Sequence, residues 1–172
     1  MSDLINLIRR AYGLLVAFAN LLQSPFLLAL RVYFFWQLFQ TGEGKLSNIG
    51  RVIGFFRSLG IPAPHINAYF VSSLECFGGL LLIFGLASRP IALMVTVSMS
   101  VAYITGDLEA VTSILSHPDK FVNADPFRFL MAALIVLIFG PGLISIDAFL
   151  KRFIGEKKDS SFDRSSGAVS QK

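Results

Sequence analysis

The sequence predicts an all-α membrane protein: a four-transmembrane-helix bundle with an N-terminal amphipathic helix and a short interfacial helix in the first loop. Three observations carry this. The 172 residues are 54% hydrophobic and 15% charged, with 17 Phe and a mean hydropathy of +0.66. One soluble core of this chain length cannot hide that much apolar surface, so the excess has to face lipid. A soluble bundle of unusually apolar helices is the poorer alternative. The apolar runs also approach the roughly 17–25 residues needed to cross hydrocarbon, and breaks carrying proline, glycine or charge separate them.

The chain divides into an N-terminal amphipathic segment (1–24), a membrane domain (25–150) and a polar tail (151–172). Ala11–Phe39 is apolar with a single charge, Arg31, and is too long for one perpendicular helix and too short for two. Pro25, after Gln23-Ser24, is the expected breakpoint, because proline removes a backbone donor and crowds the preceding turn. Leu4–Leu22 is then an amphipathic helix at the interface, capped by Ser2-Asp3, and the first span covers about 25–41. Met1–Asn20 is not expected to be a cleaved signal, since no small-x-small site follows its apolar stretch.

In Ser47–Leu59, Ile49, Val52, Ile53, Phe56 and Leu59 recur at 3–4 spacing, which predicts a short helix lying on the membrane. Gly60-Ile-Pro-Ala-Pro64 ends it. The second span is about 66–86 and holds one charge, Glu75. Ala87-Ser88-Arg89-Pro90 reads as a tight hairpin with Ser88 as N-cap. The third span, about 91–107, leads into a polar connection over Gly106–Asn123. Asp125-Pro126 opens the fourth span, about 126–146, with an N-cap acid and a proline in the first turn, and Gly140-Pro-Gly142 disrupts it. From Lys151 the tail is charged, then rich in Ser and Asp, and is expected to be disordered.

The net charge of +4 sits mainly at the chain ends, where Lys and Arg beside spans report topology and contact with anionic lipid, not nucleic acid. With four spans both termini share one side. Nine basic residues then lie on that side (Arg9, Arg10, Arg89, Lys151, Arg152, Lys157, Lys158, Arg164, Lys172) against five on the other (Lys45, Arg51, Arg57, Lys120, Arg128). The bias puts both termini in the cytoplasm, and the expected location is a bacterial inner membrane. A single cysteine, Cys76, leaves no intrachain disulfide and no CxxC motif.

Two charges fall inside spans, Arg31 and Glu75. Each costs roughly 2.5–3.5 kcal/mol near a helix centre, and pairing lowers the penalty of both, so the two are expected to face each other. Glu75 shares a helical face with Ser72, Gly78, Gly79 and Leu82, small residues that admit a neighbouring helix. Arg31 and Glu75 read either as the polar floor of a ligand or proton site or as an ion pair fixing helix register. Trp36 and Gln37, with Gln40 and Lys45 beyond, read either as the wall of a site for a flat polar-headed ligand such as a diffusible quinone or as interfacial anchors. His65 and His117 fall in loops, which argues against a bis-histidine haem. The acids Asp107, Glu109, Asp119 and Asp125 read as a solvated connection, and no metal site or bound cofactor is expected.

Three blocks of residues resemble DoxX-type membrane proteins. They are Arg31 with Gly44-Lys45-Leu46 fourteen residues on; Phe55-Phe56, Leu59-Gly-Ile-Pro-Ala-Pro64, Glu75-Cys-Phe-Gly-Gly-Leu80 and Gly85-Leu-Ala-Ser-Arg89; and Phe139-Gly-Pro-Gly-Leu-Ile-Ser-Ile-Asp147. Together they cover about 26–150. The resemblance implies a four-helix membrane bundle linked to redox metabolism, since relatives include a small subunit of thiosulfate:quinone oxidoreductase. Fold carries over better than activity. The expected function is a non-catalytic or assisting subunit of a redox membrane complex, with the lipid bilayer and a protein partner or second copy as neighbours. A scaffold or assembly factor is the alternative, and a small-solute permease a weaker one, since no inverted repeat supports it.

Overall fold

A computed structural model describes residues 2–153; the segment from 154 onward, most of the tail expected to be disordered, lies outside the described residues. Among the described residues every regular element is helical. Helix α1 (Ser2–Ser47) is followed by α2 (Ile49–Ser58). Then comes an unbroken rod made of α3 (Pro64–Ser73), a π-helical turn (Leu74–Gly78) and α4 (Gly79–Phe84). Helices α5 (Ser88–Gly106), α6 (Leu108–Thr112), α7 (Pro118–Asn123) and α8 (Pro126–Phe139) complete the order, and residues 146–153 form a last helical stretch.

Among the described residues three helices are long and apolar enough to cross a membrane: Arg9–Ser47, Pro64–Phe84 and Ser88–Gly106. The fourth expected span differs. Helix α8 ends at Phe139, where Gly140 takes φ 80 and ψ −177, so its 14 residues rise only about 21 Å. Residues 140–145 continue without helix.

The expected break at Pro25 is absent: proline lies inside α1. Sequence on both sides of Pro25 is apolar, and in hydrocarbon an unwound turn would strand several backbone groups, whereas a proline strands one or two. The lone amphipathic segment is therefore not a separate element. From Arg9 to Gln23 the helix is exposed on every side, with Leu14 and Leu21 each 73% exposed.

From Ser24 onward α1 joins the bundle through one stripe: Leu27, Arg31, Phe35, Leu38 and Gly42 are buried at 3–4 spacing. Its antiparallel partner is the α3–α4 rod. A Cβ on Gly42 would stand 2.3 Å from the Cys76 backbone nitrogen, and one on Gly79 would stand 3.0 Å from the Phe35 carbonyl oxygen. Only glycine permits that approach. Helices α5 and α8 pack through Ala92, Val95 and Met99 against Phe129, Ala132, Ala133 and Val136. The Tyr103 hydroxyl donates to the Phe121 carbonyl at 2.7 Å, and the two rings stack, tying α7 to the end of α5.

The α4–α5 hairpin closes in a way the local sequence does not announce. Gly85 (φ +71) makes a Schellman end, with Leu86 N–H donating to Leu81 O and Gly85 N–H to Leu82 O. Ser88 is the first residue of α5 and not its cap, which is Ala87 at φ 49. The capping acceptor is Asp147, whose carboxylate takes the N–H groups of Ala87 and Ser88, both at 2.8 Å. Likewise Asp125 sits at the N-cap of α8 but makes no side-chain cap bond, its Oδ1 accepting from Arg128 instead.

Candidate functional site

The two intramembrane charges do not meet. The antiparallel register of α1 against the α3–α4 rod, set by Gly42 on Cys76 and by Phe35 and Phe39 on Gly79, brings Ile83–Gly85 opposite Arg31. Residue 45, fourteen positions and about 21 Å further along α1, is the one that reaches Glu75. The expected Arg31–Glu75 pairing is corrected accordingly.

Arg31, 1% exposed, donates to three backbone carbonyls: Pro141, Ile144 at 3.2 Å and Ile83 at 2.9 Å. Ile83 lies in the last turn of α4, whose carbonyls lack intrahelical donors. Pro141 and Ile144 belong to the non-helical segment after α8. Non-helical backbone at membrane depth is tolerated only where it is buried in protein or lines a water-filled cavity, and here the guanidinium fork satisfies two of its carbonyls. Arg31 is thus a structural clamp joining three chain segments.

Glu75 is 2% exposed, and its Oε1 accepts from Lys45 Nζ at 2.6 Å. Its Oε2 has no partner among the described residues. The Lys45 side chain is 34% exposed, so the pair runs from the bundle interior to an opening. Glu75 sits in the π-helical turn, a geometry that adds a residue to the helix and is frequent at functional sites. The wider turn presses the Glu75–Cys76 backbone against Gly42.

The opening is a groove of about 780 Å³. Helix α5 packs on α4 and the π-turn and far less on α3, so the rod and α5 diverge from their hairpin and leave the groove between them. Phe55 and Phe56 of α2, Phe70 of α3, and Met94, Val97 and Met99 of α5 give it apolar walls; Lys45 and Glu75 lie within it, with Asp107 and Asp125 also on its lining. Phe70, Leu93 and Val97 are half-exposed along the side, where lipid would stand. An apolar groove holding one ion pair and one free acceptor is suited to a flat, mostly apolar molecule with a polar group at one end.

Of the five residues singled out in the sequence, Lys45 and Glu75 meet in this groove. Arg31 lies at the other end of the bundle. Trp36 and Gln37 do not line the groove: Trp36 is 50% exposed and packs on Phe39, and Gln37 donates to Tyr33 O one turn back. They fall beside the buried stripe of α1 and not on it. The aromatic wall comes instead from α2 and α3, which the sequence reading treated as an interfacial helix and the start of a span. The signal that could have placed Lys45 on the buried face is the stripe itself, because Arg31, Phe35, Leu38, Gly42 and Lys45 share one face. Cys76 is buried with a free thiol, and among the described residues no three His, Cys, Asp or Glu side chains cluster as metal ligands.

A second cavity, about 740 Å³, lies at the Arg31 end between Ser24, Leu27, Arg89, Phe139–Leu143 and Lys151. Asp147 borders it. Burial pushes the Asp147 carboxyl up, but the hydrogen bonds from Ser88 and Ala87 and the charge of Lys151 outweigh that and hold it below the usual carboxylate range.

Residues 26–108 match the DoxX family model. The chain is 29% identical over 121 residues to a protein described as "Putative oxidoreductase CatD" of Bacillus subtilis (strain 168), covering 69% of this chain and 81% of that relative. No solved structure matches.

Proposed function

Since residues 26–108 carry a DoxX domain, we propose that this protein is a membrane subunit or accessory protein of a redox complex, and that its groove takes the head of a diffusible lipid quinone. The similarity to a protein described as an oxidoreductase supports the redox part. The observation that carries the ligand part is the Glu75 carboxylate: buried, held at one oxygen by Lys45, and unpartnered at the other inside an apolar groove. A buried acceptor left open costs stability unless something fills it. The role is an assisting one, electrons being carried by the quinone and by centres in a partner. Lys45 and Glu75 orient the quinone head, and the walls of α2, α3 and α5 hold its ring and exclude water. The protein stands in the bacterial inner membrane with both termini cytoplasmic.

Binding of a short-tailed benzoquinone to the purified full chain in detergent tests this reading. Ligand that binds only the folded state raises the melting temperature by mass action. A rise with the benzoquinone or with its hydroquinone that is lost in Lys45→Met supports the groove, and no rise with either form on wild type overturns the quinone reading. The second reading is a scaffold for a partner protein or a second copy. It rests on the Arg9–Gln23 part of α1, apolar and exposed on every side, and predicts partner capture that survives Lys45→Met.

A further inference from the structure

The chemistry of the open carboxylate oxygen reaches further than the class of ligand. An ammonium at 2.6 Å from Oε1 is the partner of an ionised carboxylate, and such a carboxylate only accepts hydrogen bonds. Its Oε2 is buried and has no hydrogen-bond partner among the described residues, and Glu75 is one of the residues that line the groove. The neighbours that could supply one do not. Lys45 is engaged at Oε1, the Ser72 hydroxyl one turn away makes no bond to it, and Asp107 and Asp125 on the groove lining are themselves acceptors.

An oxidised quinone head carries carbonyl oxygens, which are acceptors. Against Oε2 it sets lone pair against lone pair. The reduced head carries hydroxyls at the same ring positions, and one of them can donate to Oε2 while its ring lies between the aromatic and methionine walls. We infer that Glu75 makes the groove selective for the reduced, hydroxyl-bearing form of its ligand, a hydroquinone over its quinone. This rests on the quinone reading above and adds the redox form to it. A hydrogen bond to a charged acceptor is worth a preference of about ten- to a hundredfold. Tighter binding of the reduced form raises the midpoint potential of the bound couple, by about 30 mV for each tenfold in a two-electron couple.

The test uses the full chain in lipid nanodiscs under anaerobic conditions, titrated calorimetrically with three probes of one ring and one short tail. These are the benzoquinone, its hydroquinone, and the dimethyl ether of the hydroquinone, which keeps the shape and loses both donors. The hydroquinone is expected to bind at least tenfold more tightly than the quinone, with the ether no better than the quinone. Glu75→Gln, whose amide offers a donor as well as an acceptor, should narrow the gap to under about threefold. Trp36→Ala, outside the groove, should leave it as in wild type. Quinone binding as tightly as hydroquinone, or ether matching hydroquinone, overturns the inference while leaving the groove a quinone site. Binding of none of the three overturns the quinone reading and the inference with it. The comparison of the three probes on wild type needs no variant, so it stands even where Glu75→Gln fails to fold.

Discussion

Arg31 and Glu75 are both almost fully buried, and the sequence makes their burial legible, because a charge in an apolar run has nowhere else to go but the bundle interior. Their partners were not legible. Pairing depends on the register between two helices, which arises from the contact of Gly42 with Cys76 and of Gly79 with Phe35, and no local pattern encodes that offset. The consequence is measurable by double-mutant cycles. Lys45→Met and Glu75→Gln remove the same contact, so their effects on unfolding should depart from additivity by roughly 0.5–3 kcal/mol. Arg31→Leu and Glu75→Gln act at separate ends and should add within about 0.5 kcal/mol. Arg31→Leu alone should cost at least about 2 kcal/mol, because the carbonyls of Ile83, Pro141 and Ile144 lose the buried guanidinium that donates to them. An Arg31–Glu75 coupling as large as the Lys45–Glu75 one would sink the assignment of partners.

Elements that follow from local pattern came out as expected from sequence. The α2 helix is there because of the 3–4 spacing of Ile49, Val52, Ile53 and Phe56, and Gly60 at φ 70 ends it. Elements shaped by distant residues did not. Pro25 signals a break that the apolar surroundings override, Ser88 looks like a cap that Asp147 supplies from 59 positions away, and the π-turn has no sequence signature at all. Two tests address these elements. Gly42→Ala has to push α1 off the π-turn, since its Cβ would lie 2.3 Å from the Cys76 nitrogen, whereas Gly44→Ala meets nothing within 4 Å. The first should lower the melting temperature sharply and weaken ligand binding by displacing Glu75, and the second should leave both near wild type. The Asp147 cap is a matter of pH. Its carboxyl is held below its usual range when folded, so its contribution is fully present above the ordinary carboxylate pKa of about 3.9 and is lost as pH falls through the folded value. Melting temperatures of wild type and Asp147→Asn should therefore differ at pH 7 and draw together progressively as pH falls below about 4. A gap that persists unchanged at pH 3 would mean the carboxylate charge is not what caps α5.

At the scale of the whole molecule the long apolar rods alternate in direction, and side-chain contacts sort the chain into two ends. Ser24, Gly85–Ser88 and Leu143–Asp147 meet at one end, through Leu143 N–H on Ser24 Oγ and Asp147 on the α5 start. The last turns of α1 and α5 and the starts of α3 and α8 form the other. The first end carries Arg89, Lys151 and Arg152, and α1 continues beyond it toward Arg9 and Arg10. The second carries Lys45, Arg51, Arg57, Lys120 and Arg128. Leaving out the buried Arg31, the described residues give five basic groups against five, so the charge excess proposed to hold the first end in the cytoplasm comes from the tail, with Lys157, Lys158, Arg164 and Lys172. Orientation is thus a property of the whole chain more than of the bundle. It can be read by cysteine labelling, because Cys76 is buried and contributes no background. Arg89→Cys and Arg57→Cys, both at exposed positions, should react with a membrane-impermeant maleimide from opposite sides: Arg57→Cys in intact cells, and Arg89→Cys only after the membrane is opened. Labelling of both from the same side would show that α1, the α3–α4 rod, α5 and α8 do not cross as four alternating spans. The reverse pattern would keep the four spans and turn the molecule over, which would make the basic residues around α2 the stronger topogenic signal.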